Sequence, residues 1–301
     1  MKLPIISVPI VEIPLNKSVR LFLKREDLIH PEISGNKYWK LFYNINNYLD
    51  KIFIEKKIIT FGGAYSNHIF TVSAVGKIYN ISTLGIIRGE ELEGKWKENF
   101  TLKKAHENGM EFSFVSREEY RDKENLTKKL REEFPDALLI PEGGSNELAV
   151  EGIRHMLTNE TKEFDYLCTA VGTGGTLAGI SKYAAEKQNV LGFKVVEDSS
   201  LEKQIFNWSG KKNFELISAS FGKYGKITRE NIMFINDFQD KYGILLDPIY
   251  TGKTIQKLFE LVDENYFESG TKILAFHTGG LQGIEGANVM LKKKNKIGIR
   301  L

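Results

Sequence analysis

A lysine at the start of a predicted helix is the side chain with the clearest potential for covalent chemistry. Lys37 follows Gly35-Asn36 and precedes a segment with helical spacing. The positive end of a helix disfavours the ammonium form of a nearby lysine, and a neutral amine can act as a Schiff-base nucleophile. Taken alone, however, Lys37 is interpreted as an ordinary surface lysine, one of 42 Lys and Arg residues.

Four glycine-bearing loops are predicted to follow strands, at positions 61–68, 141–146, 171–176 and 276–280. In open α/β sheets, ligands bind at the carboxyl ends of strands, where glycine lets backbone N–H groups approach them. The loop 172–176 lies between a predicted strand and a predicted helix and suits a phosphate group. A tight turn that binds nothing is the alternative, and position alone does not decide between the two.

Several common motifs are incomplete in this sequence. The loop at Gly172 lacks the last glycine of a dinucleotide-binding fingerprint, which Leu177 replaces. The segment 250–254 ends like a Walker A loop, but Asp247 stands where that motif requires glycine. Zinc-peptidase, α/β-hydrolase and dithiol motifs do not occur. A single cysteine, Cys168, and five histidines leave little for a disulfide or a metal site, so no metal is expected.

The composition of the 301-residue chain is that of a globular protein, with 42% apolar and 27% charged residues. Its net charge of +3 argues against a nucleic-acid or membrane-surface binder. No apolar run approaches the ~18 residues of a membrane span. Pro4, Pro9 and Pro14 interrupt the apolar N-terminus, which predicts an extended arm and not a signal peptide. We therefore expect a cytoplasmic protein.

Short apolar runs alternate with helical patterns along the chain, helices being predicted at 67–79 and 177–185. Strands are predicted at 58–61, 83–87, 112–115, 138–140, 166–171, 190–196 and 272–276. These runs are continuously apolar, as expected for parallel strands that are buried on both faces. The alternation predicts an α/β fold with a mostly parallel sheet covered by helices. If two domains exist, the chain crosses between them near Asp50 and at 143–145.

Eight motifs together resemble the 1-aminocyclopropane-1-carboxylate deaminase and D-cysteine desulfhydrase family of pyridoxal-phosphate enzymes. They occur in the family's order from about Leu21 to Gly280: K-R-E-D-L, S-G-N-K, G-G-x-x-S-N-H, I-R-G-E, P-E-G-G-S-N, the loop 172–176, L-D-P-I-Y-T-G-K and H-T-G-G. The resemblance implies the tryptophan-synthase β-subunit fold (fold type II): two open, twisted, mostly parallel sheets with helices on both faces. The cofactor would lie in the cleft between a larger domain, residues 1–49 and 146–301, and a smaller domain, residues 50–145.

The resemblance also implies how the chain would hold pyridoxal 5'-phosphate. Lys37 would bind the cofactor as a Schiff base and later move the substrate's α-proton, and Asn67 would hydrogen-bond the phenolic oxygen. Thr278 would face the pyridine nitrogen, with Thr251 as a second hydroxyl there. The phosphate would be held by Thr173, Gly174, Gly175 and Thr176.

Further matching residues would act on a small amino-acid substrate. Ser66 would contact the substrate carboxylate or act as a catalytic hydroxyl, and Tyr250 and Tyr224 match the family's two active-site tyrosines. Tyr65, Asn67 and His68 are further candidates for substrate binding, although His68 fits packing under the cofactor equally well. The family also suggests a homodimer.

The residue after Tyr250 distinguishes two activities within the family. The ring-opening deaminases typically have Glu there, which would hold a proton on the pyridine nitrogen and strengthen the cofactor as an electron sink; this chain has Thr251. A weaker sink suffices when thiolate leaves, so the sequence favours α,β-elimination, with D-cysteine as the first substrate to test and pyruvate, ammonia and sulfide as products. The alternatives are opening of 1-aminocyclopropane-1-carboxylate to 2-oxobutyrate and ammonia, a racemase or dehydratase reaction, and a non-catalytic binding module.

Two aromatic residues depart from the family's pattern. Tyr65 stands where the family usually has Gln, and Trp39 stands where it usually has Arg. If both line the pocket, another or larger amino acid is the substrate. Core packing is the simpler interpretation of Trp39, because aromatic residues at helical spacing usually belong to the core.

Overall fold

Ten strands form two sheets in the computed structural model, which describes residues 2–221 and 225–301. The strands are β1 (Ile10–Ile13), β2 (Arg20–Lys24), β3 (Lys57–Gly62), β4 (Ser82–Arg88), β5 (Met110–Val115), β6 (Leu138–Ile140), β7 (Tyr166–Val171), β8 (Asn189–Lys194), β9 (Phe214–Ser218) and β10 (Lys272–Phe276).

Helices connect these strands. The α-helices are α1 (Asn36–Leu49), α2 (Asn67–Tyr79), α3 (Phe100–Glu107), α4 (Arg117–Arg121), α5 (Lys123–Glu133), α6 (Glu147–Gly152), α7 (Gly175–Tyr183), α8 (Leu201–Ser209), α9 (Arg229–Tyr242), α10 (Thr251–Asp263) and α11 (Gly283–Lys293). Short 3-10 turns cover Glu26–Leu28, Glu90–Leu92, Trp96–Glu98, Glu142–Gly144, Ile153–Met156 and Glu160–Glu163. Among the described residues, no helix combines the length and the apolar character needed to cross a membrane.

The six-stranded sheet has the order β1-β2-β10-β7-β8-β9, and only the β1–β2 pair is antiparallel. The predicted strands at 166–171 and 272–276 are confirmed, and that at 190–196 lies at 189–194. Strands β1, β2 and β9 were not predicted from the sequence. These strands carry charged residues within or at their ends, so they lack the continuous apolar run of a strand buried on both faces.

The four-stranded sheet has the order β5-β4-β3-β6 and is parallel throughout. Its strands come from residues 57–140, and those of the larger sheet come from residues 10–24 and 166–276. Two mostly parallel sheets covered by helices confirm the predicted fold class. The domain limits at 49/50 and 145/146 fall between the two sets of strands, and the division into domains remains a prediction.

Helix α1 packs through aromatic residues into a core that both sheets share. Trp39 is buried, and its indole Nε1–H donates to Glu26 Oε2 at 2.7 Å. Its ring centroid lies 5.7 Å from that of Phe42 and 5.4 Å from that of His155. The interpretation of Trp39 as a core residue is therefore confirmed.

Gly152 at the end of α6 lies directly against α1. A Cβ atom at Gly152 would lie 1.9 Å from the Trp39 carbonyl oxygen, so any side chain forces the two helices apart. We expect Gly152→Ala to lower the free energy of unfolding by about 2 kcal/mol, the cost of overpacking a rigid contact. Gly94→Ala is the matched control, since a Cβ there meets nothing within 4 Å and should change stability by no more than about 0.5 kcal/mol. Urea unfolding of both variants measures the difference; equal stability of the two would contradict the prediction.

Candidate functional site

The candidate site forms where three neighbouring strands of the larger sheet end. The parallel strands β2, β10 and β7 lie side by side, so their carboxyl ends meet at one edge. The chain after β2 leads to Lys37, β10 leads into the loop 277–280, and β7 leads into the loop 172–174. This edge is where open α/β sheets bind ligands.

Gly35 brings the start of α1 against the loop after β10. It has a φ of 67°, and a Cβ there would lie 2.0 Å from the Thr278 carbonyl oxygen. The Asn36 N–H donates to the same carbonyl at 3.4 Å. Only glycine permits this contact, which places Lys37, in the first turn of α1, beside the loop that contains Thr278.

The ε-amine of Lys37 makes no ion pair with a carboxylate in the described parts of the chain. Its nearest hydrogen-bond acceptor is Asn36 Oδ1 at 3.5 Å, a long and weak contact. Burial lowers the pKa of Lys37 to about 8, and the charge of Asp247 acts in the opposite direction. A larger fraction of this amine is therefore neutral near neutral pH than for an ordinary lysine.

The loop 172–176 forms a cradle at the start of α7. Gly174 has a φ of 81°, and a Cβ at Gly175 would lie 2.7 Å from Ser145 Oγ. The hydroxyls of Thr173 and Ser145 are 2.6 Å apart, and Asn36 Nδ2–H donates to Thr176 Oγ1 at 2.8 Å. Hydroxyl groups, backbone N–H groups and the positive end of a helix thus converge on one small volume, as in anion sites.

Lys40 adds a buried amine to this cradle and was missed by the sequence analysis. Its Nζ–H groups donate to the Gly143 carbonyl and to Ser145 Oγ, the latter at 2.6 Å. Burial, reinforced by the charge of Lys37, holds the pKa of Lys40 well below its usual value. A nearby anion would reverse that shift, because it favours the ammonium form. The i,i+3 spacing of Lys37 and Lys40 was the available signal, since it places both on one helix face.

The loop 63–68 reaches the site from the smaller sheet. Ser66 Oγ accepts the Ile69 N–H at 3.3 Å and caps α2. The Asn67 side chain lies against the loop after β10, since a Cβ at Gly280 would be 2.8 Å from its Nδ2. Tyr65 is 56% exposed and lines a cleft at the edge of the smaller sheet, and its contact with substrate remains a prediction.

His68 is packed beneath the loop 141–146. Its Nε2 lies 2.7 Å from Thr60 Oγ1, and a Cβ at Gly144 would be 3.0 Å from its Cε1. Burial, followed by the charges of Lys37 and Lys40, holds the pKa of His68 well below its usual value, which favours the neutral ring. The geometry favours packing, and a contact of His68 with substrate remains a prediction.

Tyr250, Thr251 and Asp247 meet at the start of α10. A Cβ at Gly172 would lie 3.2 Å from Tyr250 Cε1, so this ring covers the beginning of the cradle. The Thr251 hydroxyl donates to Asp247 Oδ2 at 2.7 Å, and the same carboxylate accepts the backbone N–H groups of residues 249–251. Asp247 was not predicted as a site residue, since in the sequence it counted only against a Walker A loop. Tyr224 lies outside the described residues, and a cofactor contact of Thr251 remains a prediction.

A family described as "Pyridoxal-phosphate dependent enzyme" matches residues 2–279 of the chain. A Pyrococcus horikoshii protein named "Putative 1-aminocyclopropane-1-carboxylate deaminase" is 34% identical over 286 residues. The match covers 87% of this chain and 85% of that protein. The Arabidopsis thaliana protein named bifunctional D-cysteine desulfhydrase/1-aminocyclopropane-1-carboxylate deaminase, mitochondrial, is 30% identical over 300 residues, covering 90% of this chain and 74% of that protein.

The solved structures agree with these sequence relationships. The crystal structure of an ACC deaminase homologue matches with a TM-score of 0.79 and 30% identity, covering 97% of this chain and 95% of that one. An O-acetylserine dependent cystathionine β-synthase from Helicobacter pylori shares the fold with a TM-score of 0.70 at 15% identity, covering 99% and 97%. The chain is thus an enzyme that uses pyridoxal phosphate, and it belongs to the 1-aminocyclopropane-1-carboxylate deaminase and D-cysteine desulfhydrase family of pyridoxal-phosphate dependent enzymes.

Proposed function

We propose that the enzyme catalyses α,β-elimination on a small amino acid, with D-cysteine as substrate and pyruvate, ammonia and sulfide as products. The observation that carries the proposal is the ε-amine of Lys37. It makes no ion pair with a carboxylate in residues 2–221 and 225–301, has a pKa lowered to about 8, and stands beside an anion cradle that Lys40 completes. That pairing suits an aldehyde cofactor with a phosphate tail.

The residues present fit such a cofactor. The loop 172–176 and Lys40 would hold the phosphate, since together they offer backbone N–H groups, the Thr173 and Thr176 hydroxyls and an ammonium group. Lys37 would attach the aldehyde carbon. Asn67 would face the phenolic oxygen of the cofactor, and Thr278 would face its pyridine nitrogen. The loops that carry these two residues are in contact, because Gly280 lies against the Asn67 side chain.

When bound, pyridoxal phosphate supplies a ring that withdraws electrons and stabilises negative charge at the substrate's α-carbon. Ser66 and Asn67, at the start of α2, would orient the substrate carboxylate towards backbone N–H groups and the positive helix end. Lys37 Nζ would take the α-proton, and Tyr250 or Tyr224 would give a proton to the departing sulfur. Tyr65 and His68 would complete the substrate pocket.

Thr251 supports elimination over ring opening. The resemblance associates Glu at this position with ring opening, and here a hydroxyl is bound to the buried Asp247 carboxylate instead. A second carboxylate at position 251 would face Asp247 at close range, and like charges at such a distance disfavour each other. Deamination of 1-aminocyclopropane-1-carboxylate is the second candidate, because the Pyrococcus and Arabidopsis relatives carry that activity in their names.

The family resemblance also supports a homodimer and a division into the two domains named above. A cytoplasmic location completes the proposal, although the Arabidopsis relative is named as mitochondrial.

Attachment of the cofactor should follow the titration of Lys37. We expect the initial rate of attachment to the apoenzyme to rise with pH with a midpoint near 8, not 10.5, because only the neutral amine attacks an aldehyde. Borohydride trapping at each pH, followed by peptide mass mapping, should place the tag on Lys37. Lys37→Ala should remove the tag, and Lys129→Ala, at an exposed helical position, should keep it. A tag on another residue, or a midpoint near 10.5, would contradict the assignment.

Removal of the Lys40 amine should weaken binding of the cofactor's phosphate. We expect Lys40→Met to raise the Kd of pyridoxal phosphate about ten- to hundredfold, the loss of one charge-assisted hydrogen bond of ~1.5–3 kcal/mol. Lys182→Met, exposed on α7, is the control. Equilibrium dialysis should show no such effect for pyridoxal, which lacks the phosphate. Equal losses for both ligands would show that Lys40 does not contact the phosphate.

A substrate panel tests the reaction itself. We expect sulfide and pyruvate from D-cysteine, at a higher kcat/KM than 2-oxobutyrate from 1-aminocyclopropane-1-carboxylate, because Thr251 leaves a weaker electron sink that suits a good leaving group. Colorimetric sulfide and 2-oxo-acid assays measure both, with Lys37→Ala as the inactive control. If 2-oxobutyrate forms while D-cysteine yields no sulfide, elimination is wrong and the second candidate stands.

A further inference from the structure

A cleft of about 630 Å³ opens at the carboxyl edge of the smaller sheet, beside the site described above. The segments that follow all four strands of this sheet contribute to its lining: Tyr65 after β3, Arg88 at the end of β4, Arg117 after β5 and Glu142 after β6. The edge where parallel strands end is where such sheets bind ligands. None of the roles assigned above uses this cleft, apart from Tyr65.

The lining of the cleft carries four cationic side chains against two carboxylates. Both carboxylates are already paired, because Arg117 Nη2 lies 2.6 Å from Glu91 Oε1 and Lys123 Nζ pairs with Glu142. The hydrogen bond from Arg117 holds the pKa of Glu91 below its usual value, so that pair is ionic. Within the cleft, Arg88 and Arg121 therefore have no carboxylate partner among the described residues.

Arg88 is the unpaired cation that the surrounding structure positions. Its Nη2 is 3.5 Å from where a Cβ at Gly63 would lie, and its guanidinium carbon is 5.6 Å from the centroid of the Tyr120 ring. The aromatic ring orients the flat guanidinium without using its N–H groups. Within the described chain, Arg88 makes no side-chain hydrogen bond or ion pair. A planar fork of free N–H groups is suited to bidentate binding of a carboxylate.

Two loops contribute residues both to the cleft and to the candidate cofactor site. Tyr65 is followed directly by Ser66 and Asn67, and Glu142 is followed directly by Gly143, whose carbonyl accepts a hydrogen bond from Lys40. A molecule bound beside Arg88 therefore contacts the same two loops that approach the cofactor. It can be the far end of a substrate or a separate small anion.

We propose that this cleft binds the carboxylate group of a small organic anion, with Arg88 as the principal ligand. The group belongs either to the side chain of the amino-acid substrate or to a separate dicarboxylate. The chemistry of recognition is the same in both cases, and two experiments distinguish the sources. The first is independent of the proposed reaction, and the second depends on it.

In the first experiment, succinate is titrated into the holoenzyme by calorimetry, with neutral succinamide as the control ligand. A separate anion predicts saturable binding of succinate alone. Arg88→Gln should then weaken it at least about tenfold, as expected for loss of charge-assisted hydrogen bonds. Lys129→Gln removes the same charge at an exposed position of α5 outside the cleft and should leave the Kd unchanged. Thermal unfolding checks that both variants are folded.

In the second experiment, the holoenzyme is given S-carboxymethyl-D-cysteine and its neutral S-carbamoylmethyl analogue. A substrate carboxylate in the cleft predicts a higher kcat/KM for the charged compound. Arg88→Gln should lower the ratio of the two values at least about tenfold, and Arg88→Lys should lower it less, because it keeps the charge but not the fork. A response to Arg88→Gln in either experiment supports the proposal and identifies the source. If folded Arg88→Gln changes neither succinate binding nor this ratio, the proposal is overturned. If the enzyme is inactive towards every cysteine derivative, the succinate titration alone decides.

Discussion

The site depends on one electrostatic constraint: helix α1 carries two desolvated amines to a place where the described residues offer no carboxylate partner to either. Lys37 and Lys40 lie one helical turn apart on the same face; burial lowers the pKa of both amines, and the charge of Lys37 lowers that of Lys40 further. A buried ammonium group without a counter-charge costs several kcal/mol. A neutral amine at one position and an anionic ligand near the other would avoid this cost, and an aldehyde cofactor with a phosphate tail requires both of these features.

Close contacts at three glycines hold these amines in place. Gly35 against Thr278, Gly175 against Ser145 and Gly280 against Asn67 are positions where a side chain would collide with the neighbouring segment. Two of these contacts join a loop of the larger sheet to a segment that follows a strand of the smaller sheet. The site is thus formed between the two sheets by glycine contacts, and its geometry belongs to the whole molecule.

Asp247 is a buried carboxylate whose charge acts on Lys37. Its carboxylate accepts three backbone N–H groups and the Thr251 hydroxyl at the start of α10, so it stays satisfied while buried. Its negative charge favours the ammonium form of Lys37 and opposes the effect of burial. The resulting intermediate pKa suits a group that must both lose and regain a proton. Trp39, by contrast, lies on the buried side of α1 itself and acts on the site through the position of that helix.

Local patterns in the sequence were enough to predict the class of fold, the strands with continuous apolar runs, the helix 67–79 and the family, whereas the pairing of Lys37 with a phosphate loop stays a prediction. These features can be predicted from local patterns, because buried parallel strands and the loops that begin helices need particular residues at short spacing. The tertiary structure alone decided the charged strands β1, β2 and β9, the membership of Lys40 and Asp247 in the site, and the unpaired position of Arg88. Lys40 and Ser145 are 105 positions apart, and a hydrogen bond over that separation leaves no local pattern to recognise. Proximity of this kind follows from the pairing and packing of whole strands and helices, which short-range spacing does not encode.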